Sequence, residues 1–264
     1  MPHLAIDDTS IHYERSGVSG AQTLILSTSL GATMEMWEPQ RPVFEQHYDL
    51  LRYDMRGHGT SSVPPGPYSV AQLAQDVLAL VDFLHLNKPV FCGLSVGGAI
   101  GQWLAIHAPQ KFEAFILANT AAKIGTLDGW RQRIDAVQDG GIAPLADRIL
   151  QGWLTVQFRQ SQPEVAAKMR SMLVACNTAG YLSTCAAVRD ADLRDLVHQI
   201  HKPVCILAGQ HDLSTTMEDA EFLHHAIQGS KLVELPAAHI SNVETPLLFT
   251  EAVLDFLQGQ NFHA

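Results

Sequence analysis

The stretch Gly93-Leu94-Ser95-Val96-Gly97-Gly98 decides the fold. The apolar run from Pro89 to Cys92 before it is typical of a buried strand, and the run from Ala99 to Ala105 after it is typical of a helix. A serine at a sharp turn between a strand and a helix is held in a strained backbone conformation, where a base can reach it and activate it as a nucleophile. Gly93 and Gly97 leave room for such a turn because they have no side chains. A glycine-rich turn with an incidental serine is the alternative interpretation.

The composition restricts the class of protein. The chain has 264 residues, of which 47% are hydrophobic and 17% are charged, which is enough for one α/β domain with a sizeable core. The formal net charge of -10 argues against non-specific binding to nucleic acid or to an anionic membrane surface. The glycine spacing fits neither a dinucleotide fingerprint nor a P-loop. Residues 1–8 have no basic region or long apolar run, and no apolar segment is long enough to span a bilayer, so we expect a cytoplasmic protein without a signal peptide.

The order of strand-like and helix-like segments predicts an α/β fold. Short apolar runs typical of buried strands alternate with helical patterns over residues 1–119, and strand-like runs resume after residue 201. Over residues 120–200 amphipathic helical stretches replace them. We therefore expect a mostly parallel central sheet flanked by helices in a core domain of residues 1–119 and 201–264. Residues 120–200 would form a helical lid, inserted above the carboxyl ends of the strands, where ligands bind in such sheets.

Two further polar residues follow strand-like runs. Asp212 comes after the strand predicted over Val204 to Ala208, and His239 comes after the strand predicted over Leu232 to Leu235. The chain order of serine, acid and histidine, each after a strand, predicts a catalytic triad of Ser95, Asp212 and His239. Considered alone, the aspartate has a turn residue as its alternative, and the histidine a packed loop residue.

The same pattern predicts a role for each group. His239 would take the proton from Ser95 and later return it to the leaving group, while Asp212 would fix the tautomer of the histidine. The backbone N–H of Val96 would lie at a helix N-terminus, and that of Leu30 in the loop after an earlier strand. These two N–H groups are the predicted oxyanion hole. Ordinary loop packing is the alternative interpretation for Leu30.

Other polar residues are better explained by structure than by chemistry. The acids Asp190 and Asp192 lie in the predicted lid, and Glu244 is expected near the N-terminus of the final helix, where negative charge is favourable. The charged residues of the turn at positions 54–58 are expected to organise that turn. The remaining histidines lack the spacing of a metal site, so we predict no metal site.

These motifs resemble the α/β-hydrolase superfamily over essentially the whole chain, and within it the 3-oxoadipate enol-lactonases. The turn around Ser95 and the triad occur throughout the superfamily, and the more specific stretches are Ser29-Leu30-Gly31, Asn119-Thr120 and His239-Ile240-Ser241-Asn242. The other stretches that carry the resemblance are Met36-Trp37-Glu38-Pro39-Gln40, Leu51 to Gly59, Pro64 to Tyr68 and Gly209-Gln210-His211-Asp212-Leu213. Many members have His-Gly where this chain has Thr28-Ser29, and in this departure it resembles the lactonases.

The resemblance implies hydrolysis of 3-oxoadipate enol-lactone to 3-oxoadipate, in the β-ketoadipate pathway of aromatic-compound degradation, with no cofactor. The partner would be a small anionic lactone. Because the lid sets the substrate, another carboxylesterase or lactonase, a carbon–carbon bond hydrolase and a perhydrolase are alternatives with the same triad. A ligand-binding receptor or regulator that keeps the triad but barely turns over is an alternative of another class. The pattern carries no signal for an oligomeric state.

An acidic protein that binds an acidic substrate needs positive charge at the site itself. Trp130-Arg131-Gln132-Arg133 opens the predicted lid, and on a helix Trp130 and Arg133 lie one turn apart on the same face. An aromatic wall beside a guanidinium suits a flat lactone ring with a carboxylate tail, and the resemblance also covers this pair. We therefore predict Trp130 and Arg133 as substrate-binding residues. Arg189 and Arg194 are the rival carboxylate partners, and a solvated arginine beside a tryptophan of the lid core is the alternative.

Overall fold

The computed structural model describes residues 2–260. Within this range eight strands form one sheet in the order β1-β2-β4-β3-β5-β6-β7-β8. The strands are β1 (His3–Ile6), β2 (Thr9–Gly17), β3 (Thr23–Ser27), β4 (Asp49–Tyr53), β5 (Val90–Leu94), β6 (Phe115–Ala118), β7 (Val204–Gly209) and β8 (Lys231–Leu235). The β1–β2 and β2–β4 pairs are antiparallel, and all other pairs are parallel. The predicted α/β class with a mostly parallel sheet is confirmed.

Helices flank this sheet. Their bounds are α1 (Arg41–Phe44), α2 (Val70–Phe83), α3 (Val96–His107), α4 (Leu127–Gly140), α5 (Ala146–Trp153), α6 (Val156–Ser161), α7 (Pro163–Ala175), α8 (Thr178–Asp190), α9 (Met217–Ala226), α10 (Ser241–Glu244) and α11 (Pro246–Gly259). Short 3₁₀ helices span Met34–Trp37, Pro109–Lys111, Ala143–Leu145 and Val197–Gln199. Taken singly, no helix of residues 2–260 is long and apolar enough to cross a membrane; α7 and α8, bent by 94°, pass that test only as a pair, by length and composition.

The central strands are buried along their whole length. Every residue of β3, β4, β5, β6 and β7 is buried. This is the environment of a parallel sheet covered on both faces, and it explains why these strands are continuous apolar runs in the sequence. Because β3, β5, β6, β7 and β8 run parallel, their carboxyl ends meet at one edge of the sheet. The loops that begin at residues 28, 95, 119, 210 and 236 therefore come together there.

Five helices, α4 to α8, lie between β6 and β7 in the chain, and the described residues of this segment contain no strand. Within the predicted helical stretches, residues 143–153 form a 3₁₀ turn followed by α5. The sequence pattern did not indicate α8, because this helix is buried on most of its surface and has no polar stripe. The division into a core domain of 1–119 and 201–264 and a lid of 120–200 stays a prediction, and its outermost residues, 1 and 261–264, lie outside the described range.

Candidate active site

Ser95 lies between β5 and α3 with φ 62° and ψ −116°, a backbone conformation that residues other than glycine rarely adopt. A Cβ atom on Gly93 would lie 2.1 Å from the carbonyl oxygen of Gly97, and one on Gly97 would lie 2.6 Å from the carbonyl oxygen that ends β3. Both positions therefore require glycine. The N–H of Ser95 donates to the carbonyl of Ala118 at 2.9 Å, and its carbonyl accepts from the hydroxyl of Thr120 at 2.8 Å. The turn is thus fixed by β6 as well as by its own glycines.

The structure brings Ser95, His239 and Asp212 into one hydrogen-bonded series. Nε2 of His239 lies 2.9 Å from Oγ of Ser95, and Nδ1 lies 2.7 Å from Oδ2 of Asp212. All three residues are buried, with exposed fractions of 6%, 4% and 4%. Because an ionised carboxylate only accepts hydrogen bonds, Nδ1 is the protonated nitrogen. Nε2 is then free to accept the proton of the Ser95 hydroxyl.

The carboxylate of Asp212 is held by a further set of donors. Oδ1 accepts from the N–H of Ser214 at 2.7 Å and of Thr215 at 3.1 Å, and Oδ2 accepts from the hydroxyl of Thr215 at 2.7 Å. Burial by itself would raise the pKa of Asp212. The charge of His239 and the hydrogen bonds from His239 and Thr215 outweigh burial and lower that pKa to about 2. Asp212 is therefore ionised at neutral pH although it is almost completely buried.

Asn119 is a part of this arrangement that the sequence indicated only through the family resemblance. It has a φ of 43°, follows β6 directly, and its side-chain amide donates to Oδ2 of Asp212 at 3.1 Å and to the carbonyl of Ala238 at 3.2 Å. Its Oδ1 accepts from the hydroxyl of Ser241. Asn119 thus connects the acid to the loop that carries His239. Its position just after a parallel strand is the signal that could have identified it.

The predicted oxyanion donors lie beside the serine. Leu30 lines the same cavity as Ser95 and His239, and Val96 is the first residue of α3, where backbone N–H groups have no partner inside the helix. Within residues 2–260 neither Leu30 N–H nor Val96 N–H has a hydrogen-bond acceptor. Two buried donors without acceptors next to a serine hydroxyl suit a negative oxygen that forms during a reaction. Their role as an oxyanion hole stays a prediction.

The turn at positions 54–58 supports the loop that contains Leu30. The N–H of Gly31 donates to Nε2 of His58 at 3.0 Å, and Nδ1 of His58 lies 3.3 Å from the carbonyl of Arg56. Burial lowers the pKa of His58, so the ring is neutral and Nε2 can accept. Arg56 forms a buried ion pair with Asp76 at 2.6 Å. These contacts are structural, as the sequence indicated.

A cavity of about 340 Å³ lies over Ser95 and His239. Its other lining residues come from the loop after β3, from the loop and helices between β6 and β7, and from the loop after β7: Ser29, Leu30, Ile124, Gly125, Thr126, Gly129, Trp130, Arg133, Trp153 and Val188, together with Leu213 and Ser214. None of the lining residues is acidic. The cavity therefore presents one cation to a ligand and no opposing anion.

Trp130 and Arg133, the predicted substrate-binding residues, both line this cavity. The guanidinium of Arg133 lies 5.3 Å from the ring centre of Trp130 and 5.6 Å from that of Tyr181, and its Nε donates to the Tyr181 hydroxyl at 2.8 Å. The rival arginines line no part of it: Arg189 is paired with its neighbour Asp190 at 2.7 Å, and Arg194 with Asp192 at 2.6 Å. Tyr181 and Trp153 are site residues that the sequence did not indicate. A substrate-binding role for Trp130 and Arg133 stays a prediction.

Glu244 lies near the N-terminus of the final helix, two residues before α11 begins at Pro246, but its carboxylate makes its hydrogen bonds elsewhere. It accepts from the N–H of Ala238 at 2.9 Å and from the N–H of Thr155 at 3.3 Å. Glu244 therefore joins the loop of His239 to the start of α6. No group of three or more His, Cys, Asp and Glu side chains in residues 2–260 is placed to hold a metal ion.

The comparison with known proteins identifies the family. A family model of the alpha/beta hydrolase fold matches residues 22–246. The chain belongs to the α/β-hydrolase family. This α/β-hydrolase is 42% identical over 250 residues to 3-oxoadipate enol-lactonase 2 of Acinetobacter baylyi, which is 95% of this chain and 94% of that protein. The predicted fold class and the family resemblance are confirmed.

The structural comparison agrees. The crystal structure of the enol-lactonase from Burkholderia xenovorans matches this α/β-hydrolase with a TM-score of 0.96 and 40% identity. The match covers 97% of this chain and 100% of the enol-lactonase chain. More distant relatives carry another activity in their names. The putative carbamate hydrolase RutD of Agrobacterium fabrum is 28% identical over 255 residues, covering 94% of this chain and 98% of that protein.

Proposed function

We propose that this α/β-hydrolase converts 3-oxoadipate enol-lactone to 3-oxoadipate, the enol-lactonase step of the β-ketoadipate pathway, through a covalent intermediate on Ser95. The observation that carries the proposal is the hydrogen-bonded series from Ser95 through His239 to Asp212, beneath a cavity with an arginine and no acid. The identity of 42% to a protein named as an enol-lactonase supports the choice of substrate.

The geometry supports a two-step mechanism. In the first step His239 Nε2 takes the hydroxyl proton of Ser95 as Oγ attacks the lactone carbonyl carbon. The N–H groups of Leu30 and Val96 stabilise the oxyanion that forms. When the ring C–O bond breaks, the ring oxygen leaves as an enol that receives the proton from His239 and tautomerises to the ketone. In the second step His239 takes a proton from water, which attacks the acyl-enzyme and releases the carboxylate and Ser95.

The lid would provide substrate recognition. We propose that residues 120–200 are the lid, since α4, α5 and α8 provide Trp130, Arg133, Trp153 and Val188 to the cavity. Trp130 would pack against the lactone ring, and Arg133 would bind its carboxylate through charge-assisted hydrogen bonds. An arginine that already lies beside the Trp130 ring and donates to the Tyr181 hydroxyl is held in position, so less side-chain entropy is lost on binding.

The test is the loss of ultraviolet absorbance of the enol-lactone in the presence of purified protein. We expect steady turnover, nearly complete loss of turnover in Ser95→Ala, and no change in Ser161→Ala, which removes an exposed hydroxyl on α6. A fluorophosphonate should label the wild type and the control variant but not Ser95→Ala. Turnover that survives Ser95→Ala would refute the mechanism. Turnover of neutral esters or carbamates without turnover of the enol-lactone would refute the substrate, and a burst without a steady rate would favour a receptor or regulator.

A further inference from the structure

Most, but not all, arginines of this chain form an ion pair with a carboxylate. The sequence has eleven of them, all within residues 2–260, and eight form ion pairs with a carboxylate. The three without such a partner in this range are Arg133, Arg148 and Arg159. Acidic side chains are abundant in a chain with a net charge of -10. An arginine without a carboxylate partner therefore indicates a position where the fold places no acidic side chain nearby.

Two of these three arginines meet at a second cavity. This cavity of about 290 Å³ adjoins the one over Ser95 and shares Gly129, Arg133, Trp153 and Ser214 with it. Arg133 on α4 and Arg148 on α5 both line it, and none of its lining residues is acidic. The third arginine, Arg159, lines neither cavity and donates to the carbonyl of Leu154. Of these two cations, Arg133 lines both cavities, and Arg148 lines only the one that does not contain Ser95.

This arrangement fits the change of charge in the proposed reaction. The enol-lactone carries one carboxylate, and hydrolysis of the ring ester creates a second. The product is a dianion, and one guanidinium can neutralise only half of it. We propose that the second cavity is an anion subsite for a linear dicarboxylate that has left Ser95, in which Arg133 and Arg148 each bind one carboxylate. The identification of this dicarboxylate as the reaction product rests on the proposed function. The binding of two carboxylates by two arginines does not depend on it.

The size of the effect follows from exposure. Arg148 is exposed, so solvent and salt screen its charge, and its contact is weaker than that of a buried ion pair. We expect a loss of about fivefold in dicarboxylate affinity on removal of this charge at about 50 mM salt, and a smaller loss at about 500 mM salt, where the Debye length is only about 4 Å.

The experiment compares two ligands that have the same number of carbons and no bond to hydrolyse. Adipate has a carboxylate at both ends, and hexanoate has one. Because Trp130 and Trp153 line the cavities, their fluorescence reports binding of either ligand. We expect Arg148→Gln to weaken adipate about fivefold and hexanoate less than twofold. The matched control is Arg131→Gln, which removes a charge from an exposed position on α4 outside both cavities and should change neither affinity.

Two results would overturn the proposal. If Arg148→Gln weakens both ligands by the same factor, the cavity does not distinguish two charges from one, and if it weakens neither, Arg148 binds no carboxylate. The outcome is separate from that of the lactonase assay, because adipate binding needs no turnover. A protein that binds adipate through Arg148 but does not hydrolyse the enol-lactone would keep the subsite and lose the proposed function.

Discussion

Replacing Asp212 by asparagine tests how the site holds its charge. In the variant, the remaining oxygen would accept from the N–H groups of Ser214 and Thr215, and the new NH₂ group would replace Oδ2. That NH₂ faces Nδ1 of His239 and the side-chain amide of Asn119, both of which are donors in the wild type. The imidazole can accept from it only by moving its proton to Nε2.

The tautomer change determines the loss of activity. With a proton on Nε2, His239 donates to Ser95 instead of accepting from it, so it cannot take the hydroxyl proton. By analogy with serine proteases, in which the same substitution leaves the geometry intact, we expect the kcat for the enol-lactone to fall about 10⁴-fold. The KM should change little, because Asp212 does not line the cavity.

The same substitution has a consequence for stability that depends on pH. The folded pKa of Asp212, about 2, lies below its ordinary value of 3.8. The stabilisation is therefore fully present above pH 3.8 and is lost as the pH falls through 2. Integrated over that shift, it is about 2 kcal/mol at pH 5 and about 1 kcal/mol at pH 3. The asparagine variant lacks this contribution, so its deficit in unfolding free energy should shrink by about 1 kcal/mol between pH 5 and pH 3.

Two measurements check these values. Urea unfolding at pH 5 and pH 3 gives the stability difference, and enol-lactone turnover gives the kcat. Asp190→Asn is the matched control, since it neutralises an exposed carboxylate on α8, in the proposed lid, and should cost little in either assay. A stability deficit that does not change with pH would refute the account of the carboxylate's environment. A kcat that falls for Asp190→Asn and not for Asp212→Asn would move the acid to the lid.

Two further substitutions test other parts of the site. Arg133→Met should raise the KM for the enol-lactone at least about tenfold, because one charge-assisted contact is lost, and should leave the hydrolysis of p-nitrophenyl acetate nearly unchanged. The control variant Arg189→Met should alter neither reaction. An equal loss of activity on both substrates in Arg133→Met would instead indicate a distorted lid. His58, whose pKa burial lowers, binds a proton more weakly in the folded than in the unfolded chain, so the protein should lose stability as the pH falls below about 6.5. Thermal unfolding at pH 7 and pH 5 should show a smaller loss for His58→Gln than for the wild type, and an equal loss would contradict a neutral, buried His58.

The parts of the site that the sequence predicted are those that depend on local pattern. Ser95, Asp212 and His239 each follow a strand, and strands buried in a parallel sheet are readable as apolar runs. Asn119 follows a strand too, but its contacts with Asp212 and Ala238 depend on strands that are adjacent in the sheet and distant in the chain. A pattern of residue types carries no such information about neighbours.

The proposed lid was harder to predict than the core, for a different physical reason. Helix α8 is buried on most of its surface, so it has no amphipathic stripe, and Tyr181 in its first turn could not be assigned to the site. The partner of Glu244 is Thr155, which lies 89 residues earlier in the chain. Which arginines are left without a carboxylate is likewise a property of the folded chain, because it depends on every acid that could reach them.

The backbone conformation of Ser95 lowers the stability of the fold at the residue that carries the proposed activity. Glycine adopts φ 62° and ψ −116° without the steric cost of about 1–3 kcal/mol that serine has there. Glycine also loses more conformational entropy on folding, which costs about 0.5–1 kcal/mol. The steric gain is the larger of the two. We therefore expect Ser95→Gly to unfold at a higher temperature or denaturant concentration than the wild type, while it could form no acyl-enzyme. Directed evolution of this fold for stability alone does not retain the proposed nucleophile, so every round has to select for hydrolysis at the same time.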